Sequence, residues 1–575
     1  MVKLVKYLRP FIISVAAVII LILLQSLAEL YLPTLMADIV NFGIVNGDTS
    51  YILCIGGFML LITAGSAFCA ISANFLSSKI AAGFSKDLRE RVFSRVLDYS
   101  LQEFNKIGTS SLITRTSNDI TQIQLLLIFL LRLMISAPMM CIGGIFMAIS
   151  KDAVLSLVFL AVLPVLSGAI YLIAYKGMPL FKVQQVKLDN LNRVFRESLT
   201  GIRVIRAFNR TGYEKRRFNT ANLDLTNISV KVSILMAVTM PMTMLVMNFT
   251  TIAIVWFGGI RISHGYMQVG DMMAFIQYAM YIMFSLVMVS YMFIIIPRAE
   301  ASAQRINEIL EMVLEITDAA TVRKAEHDRG LIEFRNVTFR YPGAEYPALR
   351  KISFTARPGE VTAIIGGTGS GKSTLLNLIP RFYDIENGSV LIDGLDVRKI
   401  AMEDLRAKIG LVPQKALLFS GSIADNIRMG KEDASEEEIR QAADVAQATE
   451  FILEMKDGFA SLLAQSGTNI SGGQKQRLAI ARALVRKAKI YLFDDTFSAL
   501  DYKTDARLRS ALRQETAQAT VIFVAQRIST IRDADQIIVL DDGEIVGLGR
   551  HKELLQTCRI YREIVSSQFS EEERA

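Results

Sequence analysis

The sequence predicts an α-helical membrane domain of six spans followed by an α/β domain built around a P-loop. Two observations carry this. The first 300 residues hold several stretches of 18 or more mostly apolar residues, each long enough to cross a hydrocarbon layer. From about Leu331 the charge density is that of a soluble domain. That part contains Gly366-Gly367-Thr368-Gly369-Ser370-Gly371-Lys372-Ser373, which fits G-x-x-x-x-G-K-[ST]. A chain of 575 residues is too long for one core. The expected division is 1–300 for the spans, 301–330 for a charged helical connector, 331–568 for the nucleotide-binding domain and 569–575 for a tail.

The spans fall at roughly 11–33, 51–77, 127–149, 153–176, 232–258 and 272–297. Lys3, Lys6 and Arg9 precede the first, which sets the N-terminus in the cytoplasm. Residues 34–50 carry Asp38 and Asp48 but no Lys or Arg, so that loop is outside. The segments 79–126 and 176–231 are rich in basic residues and lie inside, and Arg298 returns the chain to the cytoplasm. Charge and span count agree on both termini inside. The alternative, a signal peptide cleaved near Ser26-Leu27-Ala28, leaves five spans and removes the N-terminal anchor. The formal net charge of +8 is accounted for by these inside loops, so no nucleic-acid partner is expected. Cys54, Cys69, Cys141 and Cys558 have no metal or redox spacing and read as small hydrophobes.

Both long inside segments show apolar residues at helical spacing, such as Phe93, Val96 and Leu97, or Leu191, Val194, Phe195 and Leu199. The spans are therefore expected to continue into the cytoplasm as long helices. Twenty extra residues reach roughly 30 Å. Two short turns, around 104–108 and 201–208, are contact points with the soluble domain or simple caps of helical hairpins. The fifth and sixth spans are rich in Met (Met236, Met240, Met242, Met244 and Met247, then Met273, Met280, Met283, Met288 and Met292), with Phe249, Phe275, Tyr278, Tyr281, Phe284 and Tyr291 among them. As a set they suit a cavity for varied apolar shapes; singly, each Met reads better as lipid-facing or as interhelix packing. Arg132, in the third span, reads as a functional charge or as a side chain snorkelling to the inner boundary.

In the second domain, Val361–Ile365 reads as a buried strand and Ser373–Leu378 as the start of a helix, the context a P-loop needs. Its glycines let backbone N–H groups converge on an anion at a helix N-terminus. Lys372 is placed to reach β- and γ-phosphates, Ser373 to hold Mg²⁺, and Thr374 to extend the loop. Tyr341, 25 residues before Gly366, can stack on a base. Gln414 follows an apolar strand and can ligate Mg²⁺ or position water. Ser471-Gly472-Gly473-Gln474 precedes a helical run and makes a second anion-binding feature. Ile490 to Asp494 is a strand ending in carboxylates: Asp494 suits Mg²⁺, and Asp495 is placed to polarise water. Ser498-Ala-Leu-Asp501 follows.

In this order, these residues resemble the ABC-transporter ATPase domain. With six spans fused to it, the whole chain resembles a half-transporter of the bacterial multidrug exporter type. Phe104, Gly108, Leu112, Arg115 and Asp119 match that family's first cytoplasmic loop. The resemblance implies ATP and Mg²⁺ as cofactors and a bacterial plasma (inner) membrane location. It implies pairing of two half-transporters, with each ATP between one chain's P-loop and the other's Ser-Gly-Gly-Gln signature. The loops at about 101–108 and 201–211 would be coupling helices.

Two departures from the family pattern fall on hydrolysis. Asp495 stands where the family has Glu, and Gln526 where it has His. A carboxylate withdrawn by one methylene is misplaced by more than about 1 Å, which can cost on the order of 10²-fold. Gln can hydrogen-bond a phosphate but carries no imidazolium charge. Gln465, where many relatives have Glu, has no assigned mechanism. The signature is nearly whole, with Ile470 in place of Leu. The expectation is a heterodimer whose partner, with intact Glu and His, hydrolyses ATP against this chain's signature while moving amphipathic small molecules. The alternatives are a lipid or peptide exporter subunit and a nucleotide-sensing membrane protein that does not pump. An importer is disfavoured by the fusion of spans and ATPase.

Overall fold

The computed structural model describes residues 2–318, 328–498 and 500–568. The connector stretch 319–327, Ala499 and the 569–575 tail lie outside these residues, as does the side chain of Tyr291. The chain divides into two units, Met1–Leu97 with Thr109–Met312, and Asp98–Gly108 with Val313–Ala575.

The first unit is helical: α1 (Val2–Val5), α2 (Ile12–Asp38), α3 (Thr49–Leu97), α5 (Thr109–Thr114), α6 (Ile120–Lys151), α7 (Leu157–Thr200), α8 (Ile202–Ala207), α9 (Thr211–Ser263) and α10 (Val269–Glu311). The helix α4 (Leu101–Ile107) lies between α3 and α5 in sequence but belongs to the second unit. Six helices are long and apolar enough to cross a membrane. The 53 residues of α9 extend about 80 Å, far more than a hydrocarbon layer of about 30 Å.

Small residues let these helices approach. A Cβ on Gly143 would sit 2.4 Å from Leu30 Cδ1, and one on Gly144 would sit 2.9 Å from Ile282 Cγ1, so α6 lies close against α2 and α10. Among the buried positions of α2, Val18, Ile22, Ser26, Leu30, Pro33 and Ala37 form one stripe at helical spacing, with Leu35 buried beside it. Along that seam Tyr278 is fully buried, its hydroxyl 2.7 Å from Thr34 Oγ1 and donating to Leu30 O at 3.1 Å. Charged groups at the helix ends are paired. Asp152 accepts from Leu155 N at 2.9 Å and from Arg261 Nε at 2.6 Å, and Lys151 reaches Asp271 at 2.9 Å. At the other end Asp119 is buried and accepts from Ser302 Oγ at 2.9 Å, Arg305 Nε at 2.7 Å and Arg305 Nη2 at 2.5 Å.

The expected connector helix over 299–330 differs from what is found. α10 stays helical only to Glu311. The Glu315 N–H, which a continuing helix would give to the carbonyl of residue 311, donates instead to Glu103 Oε1 at 2.9 Å.

Among its described residues the second unit carries twelve strands: β1 (Ile332–Phe339), β2 (Leu349–Ala356), β3 (Val361–Gly366), β4 (Asn387–Ile392), β5 (Leu395–Asp396), β6 (Ile409–Val412), β7 (Gly421–Ser422), β8 (Leu462–Leu463), β9 (Ile490–Asp494), β10 (Thr520–Val524), β11 (Gln536–Asp541) and β12 (Glu544–Gly549). One sheet has the order β2-β1-β4-β5; the larger has β12-β11-β3-β10-β9-β6, parallel except for the edge pair β11–β12. Its inner strands are buried on both faces, as their continuous apolar runs require. Helices α11 (Lys372–Leu378), α12 (Met402–Ala407), α13 (Ile423–Arg428), α14 (Glu436–Val445), α15 (Thr449–Glu454), α16 (Gly472–Leu484), α17 (Tyr502–Glu515), α18 (Ile528–Ile531), α19 (His551–Thr557) and α20 (Arg559–Gln568) complete it.

The Asp119 cluster gives a test. Asp119→Ala leaves Arg305 and Ser302 without their acceptor. Because the Arg305 side chain is 45% exposed, the expected cost is about 1–3 kcal/mol, below that of a fully buried pair. A lowered midpoint of thermal unfolding of the full chain, partly restored in Asp119→Asn, checks it.

Candidate functional site

The register of four neighbouring parallel strands builds one site. Val524 of β10 is level with Ile364 of β3 and Asp494 of β9, and Val412 of β6 is level with Phe493. The segments leaving the C-terminal ends of these strands therefore emerge side by side. They carry the P-loop after β3, Gln526 after β10, Asp494 and Asp495 at β9 and Gln414 after β6. Ligand sites of open α/β sheets lie outside these strand ends.

The P-loop backbone depends on glycine. A Cβ on Gly366 would meet Leu540 O at 2.0 Å, and Gly369 and Gly371 have φ of 86° and 98°. Open space lies beside Gly367 and Gly369, where a Cβ would meet nothing within 4 Å. Lys372 Nζ donates to Gly366 O at 2.9 Å and Gly367 O at 2.6 Å, so the cation lies against its own loop. Burial pulls its ammonium below the ordinary lysine value, against the attraction of Asp495 and Asp494. Ser373 Oγ donates to Asp494 Oδ1 at 2.9 Å. A hydroxyl and a carboxylate converging this way are hard oxygen donors, a set that fits Mg²⁺. Burial pushes the Asp494 carboxyl above its ordinary value, and Asp495 adds to the effect against Ser373 and Lys372. Ser370 is buried, and Thr374 Oγ1 lies 2.9 Å from the Tyr341 hydroxyl. This contact fixes the Tyr341 ring beside the P-loop, edge-on to Phe339 and Tyr383.

Asp495 is buried, with φ 47°, in the left-handed region that Asp tolerates better than most residues. Its Oδ2 accepts from Gln526 Nε2 at 2.7 Å and weakly from Gln414 Nε2 at 3.5 Å. Burial raises its carboxyl above the ordinary value, opposed by hydrogen bonds from Gln414, Ser498 and Gln526 and by the charge of Lys372. Gln568 holds the backbone behind Gln526, donating to Gln526 O at 2.6 Å and accepting from Ile528 N at 2.8 Å. Nothing in the sequence signals this contact, because it joins residues 42 apart.

The signature segment stands apart from these residues. Ser471 caps α16, accepting from Gln474 N at 3.3 Å, while Gln474 Oε1 accepts from Ser471 N at 2.8 Å. Ser471 and Gly472 are exposed, Gly473 and Gln474 half-buried, and a Cβ on Gly472 would meet nothing within 4 Å. Asp501 is exposed and caps α17 through Thr504 N at 2.9 Å. Gln465 is exposed.

The segment 98–108 is folded into the second unit. Ser100 and Glu103 form a capping box, readable in the sequence as Ser-x-x-Glu. Glu103 is buried. Against that burial, hydrogen bonds from Ser100 and the Glu315 N–H hold its carboxyl below the ordinary value. Asn105 hydrogen-bonds Tyr383, and Gln102 Nε2 donates to Glu315 Oε1 at 2.7 Å. The other short helix, α8, leaves Ile202 and Val204 exposed, and Phe208 just after it is 73% exposed.

The Met and aromatic set of the fifth and sixth spans does not form one wall. Phe275, Tyr278, Met283 and Met292 are buried, and Phe275 stacks on Phe159 at 5.2 Å. Met240, Met242, Met244, Phe249, Met273, Met280 and Phe284 are exposed. Arg132 is exposed on α6. One acid within the first span, Glu29, leaves no mark on the hydropathy, because a single charge barely lowers that of a long apolar run.

Comparison with known proteins agrees with this construction. Residues 15–286 match the family model for the ABC transporter transmembrane region, and residues 349–498 the model for the ABC transporter ATPase. An uncharacterized ABC transporter ATP-binding protein of Mycobacterium tuberculosis is 44% identical over 98% of this chain and 97% of its own. The ATP-dependent lipid A-core flippase of Pseudomonas aeruginosa is 34% identical over 88% of this chain and 84% of its own. Among solved structures, a bacterial Atm1-family ABC exporter with ATP bound superposes with a TM-score of 0.83 at 26% identity, covering 98% of this chain and 99% of that one. The chain belongs to the ABC transporter family, as a half-transporter with an exporter's fold.

The capping box of α4 gives a second test. Glu103→Ala removes the acceptor for Ser100 N and Glu315 N, at a cost of about 1 kcal/mol, or roughly fivefold in local opening. Amide exchange over residues 100–107 should rise by that factor while ATP binding is unchanged.

Proposed function

We propose that this ABC exporter half is the slowly hydrolysing subunit of a heterodimer that moves amphipathic small molecules outward across a bacterial plasma membrane, both termini lying in the cytoplasm. The observation that carries the reading is the 2.7 Å hydrogen bond from Gln526 to Asp495. A general base needs an oxygen free to accept a proton from water. Here the carboxylate is one methylene short, and Oδ2 already accepts from a neutral amide.

The binding set is intact beside this weakened base. Gly366, Gly367, Thr368, Gly369, Ser370, Gly371 and Thr374 line the cradle, and Lys372 is free to exchange its loop carbonyls for phosphate oxygens. Ser373 and Asp494, with Gln414, would hold Mg²⁺, and the Tyr341 ring would lie under the base. When bound, Mg·ATP supplies the phosphoanhydride bond, and this chain's own residues hold it more readily than they cleave it. Ser471-Gly472-Gly473-Gln474, exposed at Ser471 and Gly472, and exposed Asp501 are available to complete a site on a second half-transporter carrying Glu and His. Hydrolysis there would reset the transporter.

A second reading, a lipid exporter, is favoured by the similarity to lipid A-core flippases. Reconstituted vesicles distinguish the two: the proposal expects transport of a soluble amphipathic dye, the second reading only of a labelled lipid.

The ATPase rate tests the subunit assignment. The chain alone in lipid should turn over negligibly, and addition of the partner half should restore turnover. Replacing the partner's Glu should abolish it again. Asp495→Glu with Gln526→His should raise the rate of the chain alone by on the order of 10²-fold. A wild-type rate alone within the common enzyme range of about 1–10³ s⁻¹ refutes the assignment and favours a homodimeric pump.

A further inference from the structure

Within the six apolar stretches the sequence places one acidic side chain, Glu29, and two basic ones, Arg132 and, at the inner end of the fourth stretch, Lys176. Glu29 lies on α2 20 residues after Arg9 and nine before Asp38, in the outer half of the first span. A carboxylate within a span is costly, and such groups pair with one another or mark a substrate or ion path.

Glu29 has no such pairing. Among the described residues no Lys, Arg or His bridges to it, and its hydrogen bond comes from Gln25 Nε2 at 2.9 Å. Gln25 is on the same helix, one turn away, so this bond ties no second helix to α2. The contrast with Asp119 and Asp152, each held by an arginine from another helix, is direct. Glu29 is half-buried, one position beside the stripe that seats Leu30 against α10. Across that seam on α10, half-buried Tyr281 stands one turn from Tyr278, whose hydroxyl donates to Leu30 O. One turn along α10 in either direction from Tyr281 stand exposed Gln277 and Phe284, and two turns from Glu29 on α2 stands exposed Met36.

We propose that Glu29, with Gln25 and Tyr281, binds the cationic head of an amphipathic substrate in the outer half of the membrane unit, with Phe284 and Met36 on either side for its apolar part. A carboxylate supplies the opposite charge where little water competes. An aromatic face adds cation–π attraction, and Met adapts to varied shapes. This inference rests on the amphipath-exporter reading and narrows it to one sign of charge.

Two ions of nearly identical shape and opposite charge, tetraphenylphosphonium and tetraphenylborate, test it. Their binding to the purified full chain in phosphatidylcholine nanodiscs is measured by equilibrium dialysis. Tetraphenylphosphonium should bind wild type more tightly than tetraphenylborate. Glu29→Gln should weaken the cation by about tenfold or more (about 1.4 kcal/mol) and leave the anion unchanged, while Glu29→Asp keeps most of the cation affinity. ATP binding, unaltered in both variants, certifies the fold. Equal cation binding by wild type and Glu29→Gln, or equal loss of both ions, overturns the site and leaves the exporter reading standing. Failure of wild type to bind either ion overturns the amphipath reading, and the site with it.

Discussion

The nucleotide site depends on the parallel register of β3, β10, β9 and β6. One-residue slippage of any of these strands would move its terminal residue by about 3.3 Å and turn its side chains to the opposite face. The P-loop, Gln526, the Asp494–Asp495 pair and Gln414 come from stretches up to 160 residues apart in the chain, yet they converge because Val524, Ile364, Asp494, Phe493 and Val412 are locked in step. The apolar residues of these strands, buried on both faces of the sheet, hold that step. Core packing and site geometry are in this sense one constraint.

Within that frame the same low-dielectric surroundings act differently on neighbouring groups. Burial favours the neutral forms of Lys372, Asp494 and Asp495 together; Lys372 is drawn back towards its charged form by the two carboxylates, and each carboxylate by Lys372 and by hydroxyl or amide donors. Ser373 donates to Asp494 Oδ1, and Gln526 donates to Asp495 Oδ2. The adjacent carboxylates thus have different partners, so the roles proposed for them in binding and hydrolysis can weaken separately.

The membrane unit shows the complementary economy of polar groups. At the ends of its helices, carboxylates meet arginines from other helices, and these pairs fasten the bundle: Asp152 to Arg261, Asp119 to Arg305. Between those ends the seams are closed by small residues and by the Tyr278 hydroxyl, which answers a helix carbonyl and a threonine at once. Glu29 follows neither pattern: among the described residues its hydrogen bond comes from Gln25 on its own helix.

The six apolar helices and the identity of the ATPase motifs were legible in the sequence, because hydropathy over 18 residues and a glycine-rich loop between strand and helix are local properties. So was the capping box of α4, although its meaning was not. The Gln526–Asp495 bond, the Gln568 brace, the seating of 98–108 in the second unit and the early end of α10 at Glu311 were decided by tertiary structure, since each needs a partner distant in the chain. The division of the Met and aromatic residues into buried and exposed sets has the same origin: composition names side chains suited to a cavity, but only the packing of α6, α7 and α10 determines which of them face it. The sequence by itself determined which chemistry this chain can hold. The fold determined which oxygen of Asp495 is already occupied and which carboxylate in the membrane is left without a cation, because both depend on distances between helices and strands that no local pattern encodes.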